Sequence, residues 1–153
     1  MDLRPPALCL AILLTATLSL QGGSTKRQAE AARQHMPQDG SFAARLVHAA
    51  LDRTHHTVAY TPDYVRLDYP GGDVPASTGV CTDEVIRSYR ALGFDLQKLV
   101  HEDMKRAFGA YPKAWGLKAP DKNIDHRRVP NLQAFFKRKG AALPVTQNPA
   151  DYK

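Results

Sequence analysis

Helical segments outnumber strand-like segments in this chain, and that imbalance limits the folds that it can adopt. Apolar residues recur with a helical period in four segments, which are residues 41–55, 81–93, 96–108 and 130–140. Only two short segments look like strands: TVAY at residues 57–60 and YVRLDY at residues 64–69, the second with a two-residue alternation. Two strands alone form a marginal sheet. We therefore predict an α+β fold whose helices pack on a small, incomplete antiparallel sheet.

The N-terminus has the pattern of an export signal. Residues 7–20, ALCLAILLTATLSL, form an uncharged apolar run of 14 residues behind Arg4. The run is shorter than the roughly 20 residues that span a bilayer. We predict a signal peptide at residues 1–24, a periplasmic location, and no transmembrane segment once the leader is removed. An uncleaved N-terminal anchor is the alternative.

The rest of the chain is long enough for one small domain and is basic. We predict a polar linker at residues 25–40 and a domain at residues 41–153. The formal net charge of +6 remains after leader removal, because Asp2 and Arg4 cancel. A positive surface favours anionic partners such as wall polymers. The sequence has no helix-turn-helix, zinc-finger, phosphate-loop or metal-ligand pattern, so we predict no nucleic-acid partner, no metal and no cofactor.

Cys81 would be the only cysteine left after removal of the leader, which contains Cys9. One interpretation makes it an inert core thiol, because Cys81, Val85 and Tyr89 share one helical face. The other makes it a nucleophile. A cysteine in the first turn of a helix meets free backbone N–H groups and the positive end of the helix dipole, which stabilise a thiolate and an oxyanion. The first-turn acids Asp83 and Glu84 oppose that effect.

A long irregular segment between the last two helices is the second candidate for function. The motif NIDHRR places Asp125, His126 and Arg127 in the same segment as Trp115, and such loops often contribute binding residues. We predict that these four residues contact substrate; a solvated basic loop is the alternative. His101, beside two acids on its helix, is expected to be solvated or to act as a cap.

Three motifs, GVCTD, LVHEDM and NIDHRRVPNL, resemble those of the bacterial domain-of-unknown-function family numbered 1287, over about residues 48–153. That family is related to NlpC-type papain-like cysteine hydrolases, many of which cleave amide bonds in peptidoglycan peptides. The resemblance implies the N-terminal helical half of a papain-like fold, with Cys81 as the catalytic nucleophile. It also implies a cell-wall peptide or another anionic envelope component as the partner.

The resemblance also implies a group that this sequence does not supply. Papain-like enzymes of this type take their general base, a histidine, from a strand downstream of the cysteine helix, and the chain ends at Lys153 before such a strand. We therefore expect a C-terminally truncated, catalytically impaired cysteine hydrolase domain, because a general base contributes ~10² to 10⁴ in rate. A non-catalytic envelope- or peptidoglycan-binding protein is the alternative.

Overall fold

The computed structural model describes residues 27, 30, 40–142 and 145–148. The predicted signal peptide lies outside the described residues, as does most of the predicted linker. The chain divides into two units, Met1–Thr54 and His55–Lys153. In the first unit, helix α1 spans Phe42–Arg53, and the Ser41 side chain caps it by accepting a hydrogen bond from the Ala44 N–H at 3.1 Å.

Within the described part of the chain, the second unit contains three longer helices and both short strands. Its elements are β1 (Ala59–Tyr60), β2 (Thr78–Gly79), α2 (Cys81–Ala91), α3 (Leu96–Ala107) and α4 (Val129–Arg138). Short 3₁₀ turns lie at Phe108–Ala110, Ala114–Gly116 and Asp125–Arg127. The four predicted helices are therefore present, with ends close to those that the caps and glycines indicate.

The two strands pair in parallel, so the prediction of an antiparallel sheet is wrong. Ala59 lies opposite Thr78, and Tyr60 lies opposite Gly79. Strand β2 comes from the segment that leads into α2, which lies outside the two predicted strands. Parallel pairing needs a long return connection rather than a tight hairpin, and the segment between Tyr60 and Thr78 provides it.

The segment 64–69, predicted to be a strand, is irregular because side chains occupy its backbone groups. The Leu67 N–H donates to Asn123 Oδ1 at 3.0 Å, and the Asp68 carbonyl accepts from Gln97 Nε2 at 2.8 Å. Gln97 is fully buried, and its Oε1 also accepts from the Gly72 N–H at 3.0 Å. A buried amide thus organises a loop where the alternating pattern predicts a strand.

Helices α2, α3 and α4 supply the hydrophobic core of the second unit. Helix α3 contacts both of the other helices, and all three contact the turn Asp125–Arg127. The buried core residues are Ile86, Leu96, Val100, Met104, Tyr111, Leu132 and Phe135. Burial of this apolar surface is the main stabilising contribution. The core therefore holds the start of α2 against the turn at 125–127.

A buried acid joins the C-terminal end of α4 to α3. Asp103 accepts hydrogen bonds from the Tyr111 hydroxyl at 2.7 Å, from Arg138 Nε at 2.7 Å and from Lys139 Nζ at 2.8 Å. The hydrogen bond from Arg138 is the largest cause that holds the pKa of Asp103 well below its usual range. Among the described residues, no helix is long and apolar enough to cross a bilayer.

Candidate functional site

Cys81 is the first residue of α2, lies two residues after the end of β2, and is exposed. Its exposure contradicts the alternative of a buried core thiol. Val85, one turn along the same face, is also exposed, whereas Ile86 is buried. The start of the face that periodicity assigned to the core is therefore exposed, whereas Tyr89, further along the same face, packs against the core.

The cap of α2 leaves two backbone donors free beside the thiol. Asp83 Oδ2 accepts from the Val80 N–H at 2.7 Å, and the Asp83 N–H donates to the Val80 carbonyl at 2.9 Å. The N–H groups of Cys81 and Thr82 have no hydrogen-bond partner among the described residues. Two free donors at a helix N-terminus can bind an anion or a developing oxyanion.

Gly79 makes room for this cap. It has a φ of +151°, and an added Cβ would lie 3.0 Å from Asp83 Oδ2. A side chain at this position would therefore press on the carboxylate that caps the helix, and the backbone conformation itself is one that L side chains rarely adopt.

A buried ion pair fixes the turn Asp125–Arg127 to the start of α2. Arg127 Nε donates to Asp83 Oδ1 at 2.8 Å and Arg127 Nη2 to Asp83 Oδ2 at 3.0 Å, and both side chains are only 2% exposed. Thr82 Oγ1 donates to the Arg127 carbonyl at 2.8 Å. The pair neutralises Asp83, the first-turn acid that was expected to oppose a thiolate.

The second first-turn acid is compensated in the same way. Arg87 Nη1 donates to Glu84 Oε1 at 2.8 Å, and Arg87 Nε donates to Asp73 Oδ2 at 3.1 Å. The same guanidinium donates from Nη2 to the carbonyls of Val74, Pro75 and Thr78. Arg87 thus also secures the loop that leads into β2.

Cys81 opens onto a groove with a volume of about 410 Å³. The groove is lined by Tyr60, Pro62, Tyr64, Val80, Cys81, Thr82, Ile124, Arg127, Arg128 and Val129. Among these described lining residues, none is acidic and none is a histidine. The groove therefore combines a thiol, a helix N-terminus, two aromatic rings and two guanidinium groups.

Trp115 contributes to the site through Arg128 and does not line the groove itself. The Arg128 guanidinium carbon lies 4.3 Å from the centre of the Trp115 ring, and the ring is 52% exposed. Arg128 Nη1 also donates to Asp125 Oδ1 at 3.3 Å. Arg128 belongs to the same NIDHRR motif as the predicted contact residues Asp125, His126 and Arg127.

Two of the predicted substrate-contact residues are buried away from the groove. Asp125 and His126 are 1% and 2% exposed. Asp125 accepts from the Asp121 N–H, and burial raises the pKa of Asp125. Burial lowers the pKa of His126 to about 4. Arg127 is therefore the member of this predicted trio that reaches the groove.

His101, which was expected to be solvated or to act as a cap, is half-buried. Its ring packs edge-on against Tyr69, with ring centroids 5.2 Å apart, and burial lowers the pKa of His101. The groove rim also contains Tyr60 and Tyr64, which were not among the predicted contact residues. No local pattern distinguished them from ordinary strand residues, because their role depends on the packing of the loop at residues 61–77.

Comparisons with known proteins identify relatives but no solved fold. Residues 47–153 match the profile of the family described as "Domain of unknown function (DUF1287)". The chain is 58% identical over 108 residues to "Uncharacterized protein YijF" of Escherichia coli (strain K12), and the alignment covers 71% of this chain and 53% of that protein. The chain thus spans about half the length of the curated relative that it matches. No solved structure matches the chain.

Proposed function

The chain belongs to the family described as domain of unknown function DUF1287, and on that premise we propose that it carries the nucleophile of a cysteine hydrolase site for amide bonds in cell-wall peptides. The observation that supports the proposal best is the position of Cys81: exposed, at a helix N-terminus, in a groove, and beside two free N–H groups. The proposal includes export to the periplasm through residues 1–24 and the papain-like arrangement that the family resemblance implies.

In the proposed reaction the Cys81 thiolate attacks the carbonyl carbon of a peptide amide. A C–S bond forms, the C–N bond breaks, and the proton that the thiol gave up leaves with the amine by way of a base. Water then attacks the thioester, which releases the carboxylic acid and restores the thiol. The N–H groups of Cys81 and Thr82 are suited to bind the oxyanion of each tetrahedral intermediate.

We place the general base outside the described groove. No described residue that lines the groove is a histidine, and His126 is buried with a pKa lowered to about 4 by burial. We therefore expect this chain to react at Cys81 but to turn over weakly or not at all.

Labelling and turnover measured on the same sample test the proposal. The chain is incubated with peptidoglycan fragments and with a thiol-directed covalent inhibitor of cysteine hydrolases, and labelled peptides are identified by mass spectrometry. We expect stoichiometric labelling at Cys81 without sustained release of amines. The variant Cys81→Ser is the control for labelling at that position. Absence of labelling at Cys81 would contradict the nucleophile assignment, and full turnover would contradict the placement of the base.

One observation favours a second candidate, a non-catalytic envelope-binding module. The exposed Trp115 ring with Arg128 stacked on it is a surface that can bind ligand without any reaction at Cys81. The variant Cys81→Ser separates the two functions. A binding module keeps its affinity for sedimented peptidoglycan and its cellular phenotype in this variant, whereas an enzyme loses the phenotype.

A further inference from the structure

Two consecutive arginines line the groove beside Cys81, but their donors are used very differently. Arg127 commits Nε and Nη2 to Asp83 and Nη1 to the Asp63 carbonyl at 3.0 Å. Within the described part of the chain, Arg128 makes one hydrogen bond, from Nη1 to Asp125 Oδ1, and its side chain is 16% exposed. Its Nε and Nη2 have no partner among the described residues.

We propose that the groove takes a ligand with a carboxylate group and that Arg128 binds this carboxylate. The proposal rests on the proposed function and specifies its substrate class: a peptide with an acidic side chain or a terminal carboxylate next to the amide that faces Cys81. A guanidinium presents its donors in a planar fork that matches a carboxylate. Arg127 cannot serve in this way, because its fork is already filled by Asp83.

The surroundings of Arg128 hold its guanidinium in place before a ligand arrives. Trp115 covers one face of the group at 4.3 Å, and Asp125 binds one end of it. A cation held in this way loses less side-chain entropy on binding than a free surface arginine does. The described groove lining contains no acidic residue that would repel a carboxylate. Arg128 is therefore a specificity residue rather than a structural one.

The charge preference of Cys81 alkylation tests the proposal without needing hydrolysis. Iodoacetate carries a carboxylate and iodoacetamide is its neutral counterpart, and both alkylate the thiolate. The rate constant of Cys81 with iodoacetate is divided by its rate constant with iodoacetamide. This ratio is then normalised to the same ratio for the small neutral thiol N-acetylcysteine amide. This ratio cancels any change in the thiolate fraction. Because the chain also contains Cys9, the rates are read from the Cys81 peptide by mass spectrometry.

We expect Arg128→Gln to lower the normalised ratio about five-fold, the scale of one partly solvated charge pair. Arg128→Lys should retain most of the preference because it keeps the positive charge. Arg66→Gln is the matched control: Arg66 is exposed and does not line the groove, so the ratio should not change. Circular dichroism of each variant verifies the fold, and if Arg128→Gln is misfolded the second neutral variant Arg128→Met, whose unbranched side chain can still pack on Trp115, takes its place.

Equal ratios for Arg128→Gln and Arg66→Gln would overturn the proposal. A Cys81 that reacts with neither reagent would overturn it together with the proposed function. A high ratio that depends on Arg128, in a chain that hydrolyses no peptide, would support the carboxylate site while contradicting only the hydrolase. The two failures are therefore distinguishable in one set of measurements.

Discussion

Gly79 is the residue on which the geometry around Cys81 depends most directly. Its φ of +151° is unfavourable for other residues, and its missing side chain leaves space for the Asp83 carboxylate. That carboxylate caps α2 through the Val80 N–H and also binds Arg127. A glycine that the sequence marks only as part of a loop thus sets the position of the thiol.

We expect Gly79→Ala to destabilise the protein by about 1–3 kcal/mol, because backbone strain and contact with Asp83 act together. The alkylation rate of Cys81 should change as well, since the cap that precedes it must shift. Gly93→Ala is the matched control: Gly93 also has a positive φ, +87°, but an added Cβ meets nothing within 4 Å. Urea denaturation and iodoacetamide kinetics measure both effects. Equal effects of the two variants on Cys81 would contradict this account.

The buried pair of Arg127 and Asp83 makes a second prediction at the scale of single residues. Arg127→Met leaves the Asp83 carboxylate buried with only its capping bond to the Val80 N–H. Removing one partner of a buried pair typically costs about 3–5 kcal/mol, so we expect a loss of that size in urea denaturation. The double variant Asp83→Asn with Arg127→Met should recover part of it. Strict additivity of the two single changes would contradict a direct pair.

At the scale of elements, the local patterns predicted the helices correctly, but the predicted antiparallel sheet with a strand at residues 64–69 was wrong. Helix α2 begins at Cys81 and α3 follows the cap residue Asp95, whose Oδ1 accepts from the Gln97 N–H at 3.0 Å. These are short-range signals, and the sequence contains them. The loop at residues 64–69 depends instead on Asn123 and on Gln97, which come from distant parts of the chain. A contact between distant parts of the chain leaves no periodic pattern in the local sequence.

The junction of α3 and α4 gives a prediction about acid stability. Asp103 has a pKa held well below its usual range, chiefly by the hydrogen bond from Arg138. Its pKa in the unfolded chain is about 3.9. The folded pKa is the lower one, so the stabilisation is present above about pH 4 and is lost as pH falls through the folded pKa.

We expect Asp103→Asn to lower the free energy of unfolding at pH 7 by about 2–3 kcal/mol, because charged hydrogen bonds to Arg138 and Lys139 are lost. The difference from the unaltered protein should shrink below pH 4. Glu102→Gln is the control on the same helix: Glu102 has a side chain 40% exposed and lies 4.0 Å from Lys98, so its change should cost less than about 0.5 kcal/mol. A pH-independent difference for Asp103→Asn would contradict the argument.

At the scale of the whole molecule, the candidate site joins segments that are far apart in sequence. A single cysteine at a helix start is visible in the sequence, and so is the pair of arginines in NIDHRR. The sequence does not show which of the two arginines keeps unused side-chain donors, because this depends on the contact of Arg127 with Asp83, 44 residues away. For the same reason the burial of His126, adjacent to Arg127, could not be predicted from its position in a polar loop. Packing of the three helices decides both.

The burial of His126 predicts a pH dependence of the whole fold. Burial lowers the pKa of His126 to about 4, whereas the unfolded chain has a histidine pKa of about 6.5. Between these values the unfolded state binds more protons, so stability falls as pH falls from about 6.5 to 4, by roughly 3 kcal/mol in total. His101 acts in the same direction, because burial lowers its pKa as well. Asp125 acts in the opposite direction, because burial raises its pKa.

The variant His126→Gln isolates this contribution from those of the neighbouring groups. Its free energy of unfolding, measured by urea denaturation at pH 7, 5.5 and 4.5, should decline less steeply with acid than that of the unaltered protein. Asp103→Asn is the paired control, because its effect should change below about pH 4 rather than above it. A parallel decline in the free energy of unfolding of His126→Gln and of the unaltered protein between pH 6.5 and 4 would contradict this prediction. It would mean that His126 is protonated in the folded state. At 2% exposure, that protonation would require the packing around the turn at 125–127 to open.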